Sequence, residues 1–388
     1  MPTVPVQLPY EQPDPMRPAP LLRELQSRGS IHAIRTAVGH PGWQVRALLD
    51  DDRLGRSHRE PDKASRTGES AVFGGPLGDF DTERADHRRM RSLLQPHFSP
   101  KRMRALRARV ETLTSGLLDD LAAAGPPADL HAALALPLPI AVICELLGVP
   151  YSDRARFRAW TQAAGDVTDR ARSEQGLTEL FLYGRHLVTR KRAEADADAD
   201  VISRLAATAG VSDDEAASMS MFLLFAGHET TVAAIDEGAL WLLAYPEQWQ
   251  ALVEDPSRID AAVEEILRAP GLGGGGIPRY ARTDLEIAGV QVRAGDLVLL
   301  DNGAANHDAT VFADPDRFDI DRAAVPHLSF GHGARYCIGA PLARIELHVV
   351  FSQLAARFPT LKLGCSTEDL SFNAHVLTGG LTALPVTW

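Results

Sequence analysis

Cysteine is scarce in this chain of 388 residues, which contains only Cys144, Cys337 and Cys365, far apart in the sequence. An odd and widely spaced set does not suit a disulfide-stabilised secreted protein. No run of about 18 apolar residues is present, so no membrane-spanning helix is expected. The first residues also lack the basic-then-apolar order of a secretion signal. We therefore expect a cytoplasmic protein that does not enter a membrane.

We see no internal linker rich in glycine, serine or proline that separates two domains, and no repeat period is visible. We expect a single domain over residues 1–388, with a proline-rich, extended arm over residues 1–20. The net charge of −11 makes nucleic acid an unfavourable partner.

Helical periodicity dominates the first two thirds of the chain. Apolar residues at spacings of three and four predict a helix over residues 100–124. Residues 128–147 are nearly all apolar and contain Pro137 and Pro139, which suggests a buried helix after a break. After Arg268, short glycine-bounded runs with β-branched residues predict strands and hairpins. The predicted fold class is therefore mainly α with small β-sheets.

The longest predicted helix starts at Val211 and runs to about Ala244, where Pro246 follows as a stop signal. Ser212 and Glu215 match the capping box that begins many helices. A helix of about thirty residues, rising ~1.5 Å per residue, would cross a whole domain. Its strongly apolar stretch SMSMFLLFAG predicts that this helix is central and buried.

One cysteine stands in an unusual setting. The stretch FGHGARYCIGAPLARIEL begins at Phe330, and Gly331, Gly333 and Gly339 flank Cys337 just before a predicted helix. Glycines permit tight turns and the close approach of a flat ligand, and a helix start favours the thiolate form of cysteine. A lone thiolate suits neither structural zinc nor an iron–sulfur cluster. It suits a haem that is held by one axial thiolate.

The pattern Phe-x-x-Gly-x-Arg/His-x-Cys-x-Gly is filled at every position, by Phe330, Gly333, Arg335, Cys337 and Gly339. With it the chain resembles the cytochrome P450 superfamily of haem-thiolate monooxygenases, in particular the soluble actinobacterial type, and the resemblance extends over nearly the whole chain. It implies the P450 fold, with a long central oxygen-binding helix and a Cys-ligand loop. It also implies haem b (iron protoporphyrin IX), with Cys337 as the iron ligand and Phe330, Gly331 and Gly339 around the cofactor, and O2 as co-substrate.

The stretch AGHETT, residues 226–231, puts polar groups into the middle of the apolar helix, where they are costly. A kink is the plain interpretation, because a threonine hydroxyl can bond back to a carbonyl four residues earlier. The resemblance implies catalytic roles instead. Thr230 and Glu229 would bring protons to bound oxygen, and Gly227 would leave room for O2.

Glu265 and Arg268 lie three residues apart on one predicted helix face. By itself this spacing indicates a surface ion pair, and such pairs are common. The resemblance joins these two residues with Arg322 in a triad, to which we assign a structural role in folding the haem pocket rather than a role in the chemistry.

The carboxylates of a buried haem need cationic donors. His87 and Arg91 lie four residues apart, which puts both side chains on one predicted helix face. The resemblance gives these two residues, together with Arg279 and Arg335, the role of binding the haem carboxylates.

The resemblance also implies a mostly apolar substrate pocket. Its predicted lining consists of Glu69, Phe222, Phe225, Ala226, Ile277, Val376 and Leu377. Few hydrogen-bonding groups among apolar ones suit an organic, ring-bearing ligand. Glu69 can accept a hydrogen bond from an amide or indole N–H, although a solvated loop carboxylate is the simpler interpretation.

One segment of the chain is basic, although the chain as a whole has a negative net charge. Residues 84–109 contain nine arginine or lysine residues and one acid, Asp86. A solvated helix face accounts for this equally well, but the resemblance places the segment where an acidic ferredoxin docks by electrostatic steering. No nucleic-acid recognition motif accompanies it. The implied partners are a small-molecule substrate and a ferredoxin with its ferredoxin reductase, on a protein expected to be a monomer.

The predicted function is that of a monooxygenase, in which electrons from a ferredoxin activate O2 to hydroxylate or epoxidise a small specialised metabolite. Oxidative C–C or C–N coupling of aromatic substrates, such as cyclic dipeptides or aromatic polyketides, is an open alternative that product mass would separate. A non-catalytic accessory protein is a remote alternative, against which the intact Cys337, Glu229 and Thr230 argue.

Overall fold

The structure, a computed structural model, describes residues 42–194, 196, 198–270, 276–373 and 379–388, and the single positions 16, 20, 21 and 24. The chain divides into two compact units. Unit 1 comprises residues 1–68, 73–87 and 260–337, and unit 2 comprises residues 69–72, 88–259 and 338–388. The expectation of one domain stays a prediction. The predicted arm lies outside the described residues except at Met16 and Pro20.

Helices make up most of the described secondary structure. They are α1 Gly42–Leu49, α2 Glu83–Leu94, α3 Pro100–Ala124, α4 Pro137–Leu147, α5 Arg154–Ala164, α6 Arg170–Ala193, α7 Val201–Ala207, α8 Asp213–Ala226, α9 Glu229–Ala244, α10 Pro246–Glu254, α11 Ile259–Arg268, α12 Asn302–Asn306 and α13 Ala340–Arg357. The strands are β1 Leu54–Gly55, β2 Ala128–Asp129, β3 Ile277–Ala281, β4 Leu285–Ile287, β5 Val290–Val292, β6 Leu297–Leu300, β7 Lys362–Leu363 and β8 Pro385–Thr387. None of the helices in the described ranges combines the length and apolar character that crossing a membrane requires.

Unit 1 is built on a three-stranded antiparallel sheet in the order β1–β3–β6. The separate hairpin β4–β5 turns through Ala288 and Gly289, which both have positive φ, as a type I′ turn requires. One buried cluster joins the sheet to α1 and α12. Its members are Val45, Leu48, Leu49, Leu54, Ala281, Leu285, Ile287, Val298, Leu300, Ala305 and Leu328. Because Leu328 begins the segment before Cys337, the core of unit 1 anchors that segment.

Unit 2 is largely helical. Helix α3 spans the predicted range and packs along α13, while α6 packs against α5 and α8. Helix α4 begins with Pro137 and Pro139 in its first turn, where a missing N–H removes no helical hydrogen bond, and it is almost wholly buried. A π-helical turn over His131–Ala135 precedes it. A small sheet in the order β2–β8–β7 completes the unit.

The continuous helix predicted over residues 211–244 is wrong in one respect, because two helices, α8 and α9, replace it. Gly227 and His228 separate them, and His228 has φ −104° and ψ −76°, well away from ideal helical values. The Thr230 hydroxyl donates to Ala226 O at 2.9 Å. This is the back-bond that bends helices, so the stretch AGHETT forms the kink that its residues indicate.

The N-terminus of α8 forms half of the predicted capping box. Ser212 Oγ accepts a hydrogen bond from Glu215 N at 3.1 Å. The Glu215 carboxylate does not complete the box. It accepts two hydrogen bonds from Arg89, from Nε at 2.5 Å and from Nη2 at 2.8 Å. A paired guanidinium satisfies both carboxylate oxygens at once, which a single backbone N–H cannot do.

Candidate functional site

The cysteine loop, residues 327–337 of unit 1, is held in part by its own backbone. Gly331 N donates to Leu328 O at 2.8 Å, and Cys337 N donates to Phe330 O at 2.9 Å. The side chain of Cys337 is exposed, although cysteine is among the most buried residue types. The loop therefore presents a thiol at its end.

Gly333 lets a carboxylate hold the tip of the cysteine loop. Its φ is +69°, and a Cβ at this position would lie 1.9 Å from Asp50 Oδ1, so only glycine fits here. Asp50, directly after α1, accepts a hydrogen bond from Ala334 N at 3.2 Å. From within α1, Arg46 Nε donates to His332 Nε2 at 3.3 Å. Helix α1 thus fixes the turn that leads to the cysteine.

Two asparagines of the short helix α12 hold the start of the cysteine loop. Asn302 Nδ2 donates to Leu328 O at 2.8 Å, and Asn306 Oδ1 accepts from Leu328 N at 2.7 Å. Asn306 Nδ2 also donates to Ser329 Oγ at 2.9 Å. The sequence analysis did not single out these residues. The available signal is their spacing of four, which puts two amide side chains on one helix face.

An arginine lies buried in the middle of β3. Arg279 is 4% exposed, and its Nη1 donates to Pro278 O at 2.9 Å. Burial, followed by the positive charges of Arg56 and Arg335, lowers the pKa of Arg279 to about 9. Burial and Arg335 lower the pKa of Arg56 to about 10. Three guanidinium groups therefore lie close enough to repel one another.

Arg56 is a member of this cluster that the sequence analysis missed. β1 and β3 pair in antiparallel register, with Gly55 opposite Tyr280. Arg56 follows directly after β1, and continuation of this register by one residue would put it opposite Arg279 of β3. Nothing local to Arg56 in the sequence signals this, because the two strands are far apart in the chain and only their pairing brings the arginines together.

Glu83, at the start of α2, is the carboxylate of the cluster and is 7% exposed. It accepts hydrogen bonds from Arg56 N at 2.8 Å and Ser57 N at 3.0 Å. The Ser57 hydroxyl, the Arg335 guanidinium and Arg282 Nη1 also donate to it. Burial alone would raise the pKa of Glu83, but the bonds from Ser57 and from Arg56 N outweigh that effect and lower the pKa. Glu83 is thus an ionised carboxylate that holds the arginine-bearing segments by accepting their hydrogen bonds.

This cluster carries an excess of positive charge. Its cations are Arg56, Arg279, Arg282 and Arg335. Glu83 accepts hydrogen bonds from the side chains of Arg282 and Arg335 and from the backbone N of Arg56. A half-buried excess of guanidinium groups suits a ligand that brings carboxylates of its own. The propionates of a haem are such groups, and the thiol of Cys337 lies in the same unit. The donor set therefore fits a haem-thiolate group.

His87 and Arg91 lie one turn apart on α2. Both residues are half-buried, a position from which a side chain can reach both solvent and an interior ligand. The helix that carries them also begins with Glu83, so one element orients two predicted donors and the anchor of the arginine cluster. Their binding of haem carboxylates stays a prediction.

The break between α8 and α9 places the predicted oxygen-side residues in unit 2. Thr230 is exposed, and Glu229, the first residue of α9, has a side chain that is 17% exposed. A Cβ at Gly227 would lie 2.8 Å from Ile143 Cδ1 and 3.0 Å from Leu223 O. A larger residue at position 227 would therefore require the Ile143 side chain of α4 to shift, a reason for the glycine that the sequence did not indicate. Its role in admitting O2 stays a prediction.

The structure brings Glu265, Arg268 and Arg322 together as one buried group. Glu265 is 3% and Arg268 is 2% exposed, so they do not form a surface ion pair. Arg322 Nε lies 3.0 Å and 3.2 Å from the two oxygens of Glu265. Arg268 Nη1 also donates to Asn306 O at 3.0 Å and to Pro315 O at 2.9 Å. The group therefore ties α11 to the chain that precedes the cysteine loop.

The residues of the predicted substrate pocket fall into three groups. They are Glu69, Phe222, Phe225 and Ala226 in unit 2, Ile277 in unit 1, and Val376 and Leu377 outside the described residues. Phe225 is 8% exposed and Phe222 is 40% exposed. Glu69 is exposed, which agrees with a solvated loop carboxylate. That these residues line one pocket stays a prediction.

Comparison with known proteins independently supports the resemblance to cytochrome P450. The family model for cytochrome P450 matches residues 168–377. Pentalenolactone synthase of Streptomyces exfoliatus is 42% identical over an alignment of 396 positions, and the alignment covers 98% of this chain and 98% of the relative. A thiol on a fixed loop and a match of this extent define the class of protein, an oxidoreductase that uses a haem-thiolate group and O2. The chain belongs to the cytochrome P450 family.

Solved structures share the fold over the whole chain. SgvP, assigned as a thioether synthase in the tailoring of griseoviridin, has a TM-score of 0.91 and 33% identity, with 100% of both chains covered. The substrate-free P450 PimD, a pimaricin epoxidase, has a TM-score of 0.87 and 37% identity, with 99% of both covered. The predicted P450 fold, the bacterial type and the assignment as a monooxygenase enzyme are confirmed. Small-molecule substrates and redox partners follow from the family.

Proposed function

We propose that the protein uses haem b and O2, with electrons from a ferredoxin, to hydroxylate or epoxidise a ring-bearing specialised metabolite. The names of the relatives above connect them with pentalenolactone, griseoviridin and pimaricin. A substrate of this broad class suits the apolar character of the predicted pocket residues. The cytoplasmic location and the monomeric state also stay predictions.

The observation that carries the proposal is the exposed Cys337 thiol on a loop that Asp50 and the Asn302–Asn306 helix hold in place. On such a loop, Cys337 would hold the haem iron through its sulfur. When bound, the haem supplies the activation of O2 and the electron-transfer chemistry. Phe330, Gly331 and Gly339 would surround the cofactor near this ligand.

The remaining residues have distinct tasks. Arg279, Arg335 and Arg56 would bind the haem carboxylates, with His87 and Arg91 as further donors. Glu83 keeps two of the guanidinium-bearing segments in place, since it accepts hydrogen bonds from Arg56 N and from the Arg335 side chain.

Thr230 and Glu229 would hold and pass the protons that the reduction of O2 consumes. The hydroxyl proton of Thr230 is donated to Ala226 O, so proton transfer requires that this bond be exchanged. Glu229 carries an oxygen, Oε1, that is buried and accepts no hydrogen bond within the described residues. An acid and an alcohol that neighbour each other at a helix break can make such an exchange without unfolding a regular helix.

The basic segment supports an acidic electron donor. Within the described residues, Arg88, Lys101 and Arg104 are exposed and form no ion pair, whereas Arg89 pairs with Glu215. Uncompensated surface cations steer an acidic protein toward its docking site. A ferredoxin, reduced in turn by its reductase, fits this surface. Replacement of Arg104 by Glu should slow reduction by ferredoxin at low salt, and the difference should shrink at high salt.

Oxidative coupling is the second candidate function. The structural relative SgvP, assigned as a thioether synthase, favours it, because formation of a thioether joins two groups instead of inserting oxygen into one. Aromatic substrates, such as cyclic dipeptides or aromatic polyketides, are the class to test for C–C or C–N coupling.

An optical titration of the purified ferric protein, followed by turnover, tests both functions. Cyclic dipeptides, aromatic polyketides and macrolides are added in turn, and the class that shifts the haem from low to high spin is then supplied with ferredoxin, reductase and O2. A product heavier by one oxygen atom supports monooxygenation. A product that has lost two hydrogens without gaining oxygen supports coupling. A protein that binds no haem would overturn the proposal.

A further inference from the structure

His228, between α8 and α9, is a completely buried histidine. Its Nδ1 lies 3.4 Å from Thr161 Oγ1, on α5, and 3.3 Å from Oε1 of the adjacent Glu229. Within the part of the chain that the structure describes, His228 Nε2 and Glu229 Oε1 are both buried without a hydrogen-bond partner. The ring therefore lies against the carboxylate that is proposed to handle protons.

Thr161 determines which ring nitrogen carries the proton. The Thr161 hydroxyl has one hydrogen, and it donates this to Arg158 O at 2.9 Å. Toward His228 the same oxygen can then only accept, so His228 Nδ1 must be protonated. The Nδ1–H group thus has two acceptors within reach, Thr161 Oγ1 and Glu229 Oε1. Both distances exceed the usual ~2.9 Å, and catalytic hydrogen bonds are often long before a ligand tightens them.

We propose that His228 is a positioning residue for proton delivery, whose Nδ1–H orients the Glu229 carboxylate while Thr161 holds the imidazole ring. The inference rests on the proposed role of Glu229. A hydrogen bond to an ionised carboxylate is roughly twice as strong as one between neutral groups. Such a bond would fix one rotamer of Glu229 at the helix break, where Oε1 lies 3.3 Å from Nδ1 and accepts no hydrogen bond within the described residues.

The substitutions separate the hydrogen-bond donor from the volume of the ring. His228→Phe keeps a planar ring and removes the donor. His228→Asn puts an amide N–H close to the place of Nδ1–H, and Thr161→Val removes the oxygen while keeping the shape. His186→Phe, on the exposed face of α6, makes the same exchange where no contact with Glu229 exists.

The first measurement is product formed per electron pair in the holoenzyme. We expect His228→Phe to lower this ratio roughly tenfold, the effect of one hydrogen bond to a charged group. His228→Asn should recover most of the loss, Thr161→Val should show an intermediate loss, and His186→Phe should show none. Equal ratios for His228→Phe and the unchanged protein would overturn the inference, as would equal losses in His228→Phe and His228→Asn.

The second measurement does not depend on turnover. In the diamagnetic ferrous–CO holoenzyme labelled with 15N-histidine, we expect an Nδ1-protonated ring whose signals vanish in His228→Phe and shift in Glu229→Gln. An Nε2-protonated ring at this position would contradict the inference. Glu229→Gln also separates the two levels of the proposal. If Glu229→Gln keeps full coupling, the proton role of Glu229 fails, whereas loss in Glu229→Gln beside an unaffected His228→Phe means that only the role of His228 fails.

Discussion

Arg268 donates two hydrogen bonds to the carboxylate of Glu265, from Nε to Oε2 at 2.7 Å and from Nη2 to Oε1 at 2.8 Å. The two side chains are 3% and 2% exposed. A paired geometry of this kind satisfies both charges where water cannot. Removal of one partner would leave the other charge buried and uncompensated. This destabilises the folded state more than the loss of a surface ion pair does.

The substitution Arg268→Met should lower the free energy of unfolding by about 3 kcal/mol, because Arg322 alone then compensates Glu265. Arg170→Met is the matched control, since Arg170 pairs with Glu174 four residues on and both are about half exposed. Arg170→Met should lower the free energy of unfolding by less than about 0.5 kcal/mol. Urea unfolding followed by circular dichroism measures the free energy of unfolding of both variants. Equal unfolding midpoints for the two variants would contradict the structural role of the triad.

The substitution Cys337→Ser should abolish the thiolate-type spectrum of the ferrous–CO complex, because an alcohol cannot replace the axial thiolate. Cys365→Ser is the control, as Cys365 is only partly buried and lies outside the loop. It should leave the spectrum unchanged. Persistence of the thiolate-type band in Cys337→Ser would mean that another residue binds the iron.

Arg279→Met should weaken haem retention, because it removes a buried cation from the arginine cluster while keeping much of the side-chain volume. We expect haem transfer to apomyoglobin to be roughly tenfold faster, as for loss of one charge-assisted hydrogen bond. Arg293→Met, at a side chain that is 72% exposed, serves as control. Unaltered transfer in Arg279→Met would exclude this residue from carboxylate binding.

Thr230→Ala should reduce product formed per electron pair and increase the release of hydrogen peroxide, because the hydroxyl that takes part in proton delivery is lost. Thr230→Ser should restore coupling. Thr178→Ala is the control, since Thr178 makes the same type of back-bond, to Glu174 O at 2.8 Å, on the exposed surface of α6. If Thr230→Ala remains fully coupled, Thr230 does not deliver protons.

His97 should make the protein sensitive to mild acid. Its ring is 7% exposed and lies 3.0 Å from Arg204 Nε. Burial, followed by the charges of Arg204 and Arg102, lowers the pKa of His97 to about 4. Below the ordinary pKa of ~6.5 the unfolded chain binds a proton that the folded chain rejects, so stability present above pH ~6.5 is lost as the pH falls toward about 4.

The expected loss at His97 is about 2 kcal/mol between pH 7 and pH 4, after allowance for solvent screening. In His97→Gln, whose neutral amide binds no proton in this range, the free energy of unfolding should fall less between pH 7 and pH 4. His186→Gln, at an exposed site, should keep the original slope. Parallel pH profiles for His97→Gln and the unchanged protein would show that His97 is not the responsible group.

The sequence predicted the structural features that depend on interactions between residues close together in the chain. Helix α3 has the predicted bounds because its apolar spacing, its initial proline and the glycine after Ala124 all act within a few residues. The residues of the cysteine loop are likewise adjacent in the chain. The kink at Thr230 was also readable, since a hydroxyl that bonds back four residues needs no distant partner.

The sequence did not predict the features that depend on contacts between residues far apart in the chain. Glu83 contacts segments around Ser57, Arg282 and Arg335, and no periodicity links those four positions. The position of Arg56 follows from strand register alone. The kink in AGHETT was predicted, but its extent, a break into two helices at His228, was not, because the buried contact to Thr161 that holds the ring belongs to another helix.

The interruption at Gly227 and His228 has an electrostatic consequence. A continuous helix would have its positive end near residue 213 and would be electrically neutral at its middle. Because α9 begins anew at Glu229, the positive end of a second helix dipole, equivalent to roughly half an elementary charge, lies at that residue, and the negative end of α8 lies beside it at Ala226. The break therefore places two helix ends of opposite polarity in the middle of the segment, with the positive end at the carboxylate of Glu229.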